Sequence, residues 1–356
     1  MTTYPALYID VKKIQHNAHV VAGLLGGQGM RLVGVAKGAM GHPAVAKAMV
    51  DGGASAIGDS RVENLRRLRS LGYEGETVLL RAPSLTRVAE AVQVADVSLN
   101  SDPLTVKALG DAAARLGKRH RVILMVDLGD LREGVMVADA PDVAEEMSRV
   151  AGIELCGIGT NLACYGGVIP TREKMESLLA VKKEIETVLR RPLERVSGGN
   201  SANMRLLLAG DTPHGITELR IGESILLGTE AIERRAVPGC YPDAFTIAAE
   251  VIEVVQKPSA PFGEVGQNAF GVVPTFVDRG RRRRAILAIG RQDVDPDSLV
   301  PIEDGVTVVG ASSDHLICDV EDARWPVRAG AVLTFIPGYS ALLRASTSPF
   351  VEKVVQ

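Results

Sequence analysis

The run Arg121-Val122-Ile123-Leu124-Met125-Val126-Asp127 is apolar without alternation and ends on an acid. A strand covered on both faces reads this way, because neither side of its pleat meets water. Seven further short runs share the character: Arg31–Ala36, Ser55–Gly58, Thr77–Arg81, Val97–Asn100, Ile153–Thr160, Glu194–Ser197 and Glu218–Gly222. Between them, Pro43–Asp51, Arg61–Leu71, Leu85–Val94, Pro103–Leu116, Asp142–Val150, Thr171–Leu189 and Ala202–Leu208 have the apolar spacing of amphipathic helices. Alternating strand and helix implies a parallel sheet, since parallel neighbours need a crossover. Eight such units are the complement of a (β/α)8 TIM barrel. A doubly wound open sheet is the competitor, but no Gly-x-Gly-x-x-Gly follows the first strand.

Beyond Glu230 the texture changes. Val251–Gln256, Ala285–Ile289, Val306–Val309, Leu316–Val320 and Ala331–Ile336 read as strands, with Gly, Pro and Asp between them and no helical pattern. The expected organisation is a barrel over residues 1–234 and an all-β domain over 235–356, with a first strand, Leu7-Tyr8-Ile9-Asp10, that could join the β domain. The basic run Arg279–Arg284 reads as a solvated hairpin loop rather than a nucleic-acid site.

Composition sets the outer limits. The 356 residues are 46% hydrophobic and 23% charged, which suits a packed core. Lys+Arg 40 minus Asp+Glu 43 leaves −3, so a polyanionic partner is not expected. No run approaches the roughly 20 apolar residues of a membrane helix, and Met1–Pro5 shows no signal-peptide pattern. Cys156, Cys164, Cys240 and Cys318 are far apart and form no Cys-x-x-Cys, so free thiols in a reducing cytoplasm are expected. His16, His42, His120 and His214 show no metal spacing.

In this architecture chemistry sits at the C-terminal ends of the strands. Lys37 ends the first one. An amine at an apolar barrel mouth is partly desolvated, which favours the neutral, nucleophilic form needed for a Schiff base; the plain alternative is a surface lysine. Ser197-Gly198-Gly199-Asn200-Ser201 ends the seventh strand and opens a helix, a phosphate cradle or simply a glycine turn with a serine cap. Arg220 lies in the eighth strand, where burial demands an acceptor unless it points outward to a salt bridge. Arg132, in the loop after the fifth strand, suits a carboxylate, although loop arginines are more often solvated.

Taken in order, Ile9-Asp10…Asn17, Val35-Ala36-Lys37-Gly38, Val126-Asp127-Leu128-Gly129-Asp130-Leu131-Arg132-Glu133-Gly134, Gly199-Asn200-Ser201-Ala202 and Arg220-Ile221-Gly222-Glu223 resemble the alanine racemase superfamily of fold-type III pyridoxal 5'-phosphate enzymes. Ile57-Gly58-Asp59-Ser60-Arg61, Gly159-Thr160-Asn161-Leu162 and Ala311-Ser312-Ser313-Asp314-His315 are most similar to its ornithine racemase or broad-specificity amino-acid racemase branch. The resemblance spans nearly the whole chain. It implies an alanine racemase-like barrel and β domain, and a homodimer with shared active sites. Lys37 would be both the cofactor-holding lysine and one of two bases at the substrate Cα. Ser201, the Gly222–Glu223 backbone and Tyr339 would hold the phosphate, Arg220 would face the pyridine nitrogen, Asn161 would fall where alanine racemases carry a histidine under the ring, Asn200 would precede the phosphate serine, and Arg132 would orient the substrate, directly or through the cofactor phenolate. The expected activity is interconversion of L- and D-amino acids, ornithine, lysine or a broad set. Decarboxylation, retro-aldol cleavage or a non-catalytic cofactor carrier are the alternatives.

One departure matters. Alanine racemases carry a second-base tyrosine in a Gly-Tyr-Ala-Asp-Gly motif, and here the matching stretch is Gly290-Arg291-Gln292-Asp293-Val294. His315 is the candidate replacement, because imidazole titrates in the right range, although a lone histidine on a strand is more often structural. Strand alternation would put Ser313 and His315 on one side and Ser312 and Asp314 on the other. Tyr165 and Cys164 are further candidates. Ser313 and Asp314 are expected near the substrate, with Asp314 or Asp59 pairing a cationic side chain.

Overall fold

A computed structural model describes residues 3–356. The strands are β1 (Ala6–Ile9), β2 (Arg31–Val35), β3 (Ala56–Asp59), β4 (Glu76–Leu79), β5 (Val97–Asn100), β6 (His120–Asp127), β7 (Val135–Met136), β8 (Ile153–Gly159), β9 (Arg195–Ser197) and β10 (Glu218–Ile221), then β11 (Phe245–Pro258), β12 (Arg281–Leu287), β13 (Leu299–Pro301), β14 (Thr307–Ala311), β15 (Leu316–Asp319), β16 (Val332–Pro337) and β17 (Glu352–Val355). The helices are α1 (Val11–Gly26), α2 (Pro43–Asp51), α3 (Val62–Ser70), α4 (Val88–Val94), α5 (Pro103–Arg115), α6 (Ala140–Ser148), α7 (Arg172–Leu189), α8 (Met204–Leu208), α9 (Glu223–Leu227) and α10 (Tyr339–Thr347).

The chain divides into two compact units, Val11–Pro242 and a discontinuous one of Met1–Asp10 with Asp243–Gln356. In the first, β2-β3-β4-β5-β6-β8-β9-β10 pair in parallel, and β10 pairs back to β2. The sheet is therefore a closed barrel, not an open doubly wound one. Val33, Ala56, Val78, Val97, Leu99, Ile123, Met125 and Cys156, from six successive strands, meet in one buried cluster. The strand starts are sealed by ions rather than hydrocarbon. Arg195 Nη2 and Arg31 Nε donate to Glu218 Oε2 at 2.7 and 2.8 Å, and Arg31 also reaches Glu76 at 2.9 Å. Burial alone would raise the Glu218 carboxyl, but the two guanidiniums hold it below its usual range.

The second unit is antiparallel for the most part. Its path runs β13-β16-β11-β12-β15-β14, and β1 pairs with β11 antiparallel and with β17 in parallel. Three expectations need correction here. The region beyond Glu230 does contain a helix, α10, which buries Ala341, Leu342 and Ala345. The basic run is not a solvated loop: Arg281–Arg284 belong to β12, where Arg282 pairs with Asp319 at 2.8 Å and with Asp322, and Arg284 donates to the Ser259 carbonyl. Acceptors on neighbouring segments, invisible in the local sequence, make an arginine-rich strand affordable. Finally, Ser312–His315 do not alternate along a strand. They form the turn between β14 and β15, closed by Ser312 N donating to His315 O at 2.9 Å.

Candidate active site

Among the described residues of the barrel unit, several buried side-chain atoms find no hydrogen-bond partner, and five of them lie at one end of the barrel. Asp59 Oδ2, Asn100 Oδ1, Thr160 Oγ1, Asn161 Nδ2 and Ser224 Oγ are buried with no hydrogen-bond partner. They lie at or just beyond the C-terminal ends of β3, β5, β8 and β10. Orphaned polar groups are rare in cores because each costs about 1–3 kcal/mol. Five at one end of a barrel mark a surface built for a polar ligand.

Arg220 is the centrepiece. It is buried on β10, yet no carboxylate pairs with it. Nη2 donates to Thr160 O at 2.7 Å, and Nη1 donates to Ser197 O at 3.2 Å and to Ser197 Oγ. Burial pulls its guanidinium down to about 10. It is thus an inward donor held by backbone carbonyls, and the outward salt-bridge alternative is excluded.

Beside it, β9 runs into a tight turn. Gly199 adopts φ +142°, and a Cβ there would lie 2.1 Å from Asn203 Oδ1, so only glycine fits. Asn200 Oδ1 caps the following turn through Ala202 N at 2.7 Å, while its Nδ2 donates to Asn161 Oδ1 at 3.0 Å and to Leu162 O at 2.9 Å. This fixes the Asn161 amide with its own Nδ2 left open. Ser201 Oγ accepts from Ser224 N at 3.2 Å across the start of α9, so Ser201, Gly222, Glu223 and Ser224 come together. Hydroxyls and amides at two helix starts fit a phosphate, and a buried donor without a carboxylate partner fits a pyridine nitrogen as acceptor. The residues present therefore fit pyridoxal 5'-phosphate. Glu223 itself is paired with Arg234, and burial raises its carboxyl.

Lys37 follows β2 directly, in a short turn, half-buried. Arg132 lies in the loop after β6 and is ion-paired with Glu133. That loop is anchored by Asp127 Oδ1, which accepts from Gly129 N at 2.7 Å, and by Asp130. Asp130 accepts from the amides of Tyr165 at 2.9 Å and Val168 at 3.2 Å. Burial would raise its carboxyl, but these amides hold it below the usual range. Tyr165 and Cys164, the further base candidates, are exposed on the loop after β8.

The β unit holds the remaining candidates. Tyr339 opens α10. Ser313, Asp314 and His315 are exposed in the β14–β15 turn, with His315 Nδ1 2.8 Å from Asp314 Oδ1. Arg291, which stands at the tyrosine position, lies against that same turn: its backbone N donates to Ser312 O at 2.9 Å and its Nε to Ala311 O at 3.2 Å. Sequence reading missed Ser224, Asn64 and Arg67. Ser224 carried a usable signal, a hydroxyl one residue into a second helix start after a strand-ending glycine. Asn64 and Arg67 carried none, since only the fold brings them to Asp59 and to the Met40 carbonyl.

Known proteins are similar to this chain over its whole length. Lysine racemase of Thermotoga maritima is 43% identical over 353 residues, 99% of each chain. Ornithine racemase of Acetoanaerobium sticklandii is 42% identical over 351 residues, 98% of this chain and 99% of that protein. The crystal structure of Bartonella henselae alanine racemase with covalently bound pyridoxal phosphate superposes with a TM-score of 0.73 at 16% identity, covering 100% of both chains. Residues 9–230 match the family described as alanine racemase, N-terminal domain, and the chain belongs to that family.

Proposed function

We propose that the protein is a pyridoxal 5'-phosphate-dependent racemase of amino acids with cationic side chains, ornithine or lysine. The single observation that carries the chemistry is Arg220, a buried cation with no carboxylate partner that donates only to Ser197 and to the Thr160 carbonyl. The two full-length relatives support the substrate class. When bound, the cofactor supplies an electron sink for the carbanion at the substrate Cα. Arg220 cannot accept a proton, so it would face the pyridine nitrogen as a donor and leave it unprotonated.

Ser201, Ser224 and the Gly222–Glu223 amides would bind the phosphate, Asn161 and Asn200 would support the ring, and Arg132 would orient the substrate carboxylate. Tyr339 is a further phosphate ligand in this reading. Lys37 removes or returns the proton on one face of Cα. For the other face we assign His315, contributed across a homodimer. The Asp314 carboxylate on Nδ1 fixes the tautomer with Nε2 as the acceptor, and His315 lies on the turn that packs against Arg291, the position of the family tyrosine. Ser313 and Asp314 then border the substrate. Free cysteines and the lack, among the described residues, of any helix long and apolar enough to cross a membrane suit a cytoplasmic enzyme.

Proton exchange at Cα in D2O, followed by NMR with L- and D-ornithine, lysine and alanine, tests the reading. Exchange with inversion from either enantiomer of ornithine or lysine is expected, falling by at least about 10^3-fold in Lys37→Ala. Exchange with retention would mean that the second face has no working base. Loss of carbon dioxide or of an aldehyde would point to decarboxylation or retro-aldol cleavage instead.

A further inference from the structure

After β6 the chain bends sharply twice. Leu131 is left-handed at φ 52°, and its amide donates to Asp127 Oδ1 at 3.2 Å. Gly134 follows at φ 131°, so close over the strand end that a Cβ would sit 2.5 Å from Asp127 N. Between the bends stand Arg132 and Glu133, sequence neighbours whose side chains would diverge on a strand. Here they converge: Arg132 donates from Nε to one Glu133 carboxylate oxygen and from Nη2 to the other. Their loop is tied to the rest of the barrel mouth. Asp130 accepts from the amides of Cys164 at 3.3 Å and Tyr165 at 2.9 Å, in the segment after β8. That segment also carries Asn161 and Leu162, which accept from Asn200 beside the candidate phosphate cradle. The pair therefore stands at the site, and both charges lie within electrostatic reach of Arg220. The two side chains are 36% and 34% exposed, open enough for a ligand to meet. An ion pair this open contributes about 1 kcal/mol or less, so a ligand that offers each partner a replacement can displace it.

We propose that Glu133 recognises the cationic side chain of the substrate: the Arg132–Glu133 pair opens, Arg132 takes the α-carboxylate and Glu133 takes the distal ammonium. In the free protein each charge satisfies the other. A ligand with both a carboxylate and a distal ammonium gives Arg132 a new anion and Glu133 a new cation. A neutral side chain supplies only the first and leaves Glu133 without its partner, which discriminates against it. The neighbouring acids are committed elsewhere. Asp59, Asp127 and Asp130 are buried and accept backbone amides. Glu223 pairs with Arg234. Asp314, in the β unit, is held by His315 Nδ1 at 2.8 Å. Of these acids only Glu133 has as its partner the arginine that the substrate itself engages.

The inference rests on the racemase reading and on Arg132 as the carboxylate ligand, but its test reads binding. The holoenzyme is titrated calorimetrically with racemic ornithine and with racemic norvaline, which is ornithine's carbon chain without the distal ammonium. Racemic ligands are used because turnover leaves their composition unchanged. In Glu133→Gln the dissociation constant of ornithine rises at least about tenfold, the worth of one charge-assisted contact. That of norvaline stays within about twofold of wild type. Glu133→Asp keeps the charge and retains most of the preference for ornithine. Neither substitution touches Asp127 or Asp130, the anchors of the loop. Equal losses for ornithine and norvaline would overturn the proposal, because Glu133 would then serve only to hold Arg132. Unchanged ornithine binding in Glu133→Gln would overturn it too. The two readings fail separately. Ornithine binding that depends on Glu133, without proton exchange at Cα, sinks the racemase reading alone; a wild type that binds neither ligand sinks both.

Discussion

Two buried residues of the barrel unit carry opposed pH signatures. Asp59 titrates at about 6 in the fold, above its ordinary value of 3.8, so its burial penalty is absent at low pH and grows as pH rises from about 4 through 6. His120, buried with Nε2 2.7 Å from Ser98 Oγ, is pushed down to about 4 from 6.5. Its contribution is full above pH 6.5 and is lost as pH falls through 4. Each shift corresponds to roughly 3 kcal/mol, and over the shared window the two oppose each other. Relative to wild type, Asp59→Asn is expected to gain stability as pH rises from 4 to 6, and His120→Gln to lose it. Urea unfolding at pH 4, 5, 6 and 7 reads both slopes; parallel curves for the three proteins would refute the assignment. At this scale the sequence was informative where a polar residue ended an apolar run, as at Lys37 and Asp59. It was silent where a residue matters through a distant backbone, as Arg67 does at the Met40 carbonyl.

The elements were legible because burial is periodic in sequence. All eight barrel strands fall within a residue or two of the apolar runs, and α2 has the bounds its periodicity predicts. Short pieces were not: β13 has three residues and β17 four, too few to show a period, and α10 hides in a stretch of small residues after β16. The β14–β15 turn was read as strand because Ser-Ser-Asp-His carries no glycine to mark it. The β9–α8 turn is the element on which the candidate phosphate site depends. Gly199→Ala forces a Cβ into Asn203 at a backbone angle alanine rarely adopts, and we expect a loss of about 2 kcal/mol or more with weakened cofactor retention. Chemical unfolding and the visible absorbance of the purified variant check both. A variant with wild-type stability would mean the turn relaxes without cost.

For the molecule as a whole, the decisive prediction concerns assembly. If Lys37 and His315 act together across a homodimer, mixing inactive Lys37→Ala and His315→Ala subunits restores about a quarter of wild-type turnover. Half of the randomly paired dimers are then mixed, with one of two sites intact. No recovery after verified subunit exchange would place the second base elsewhere. One feature of the chain's path has a kinetic consequence. Strand β1 finds its partners only at Phe245–Ala248 and Glu352–Val355, so the barrel is an insertion within the β unit. During synthesis the barrel sequence emerges entire while β1 waits, its edges unpaired, for Phe245–Ala248 and Glu352–Val355. Closing that sheet joins segments separated by the whole barrel, the slowest kind of contact to form. The β unit therefore matures after the barrel.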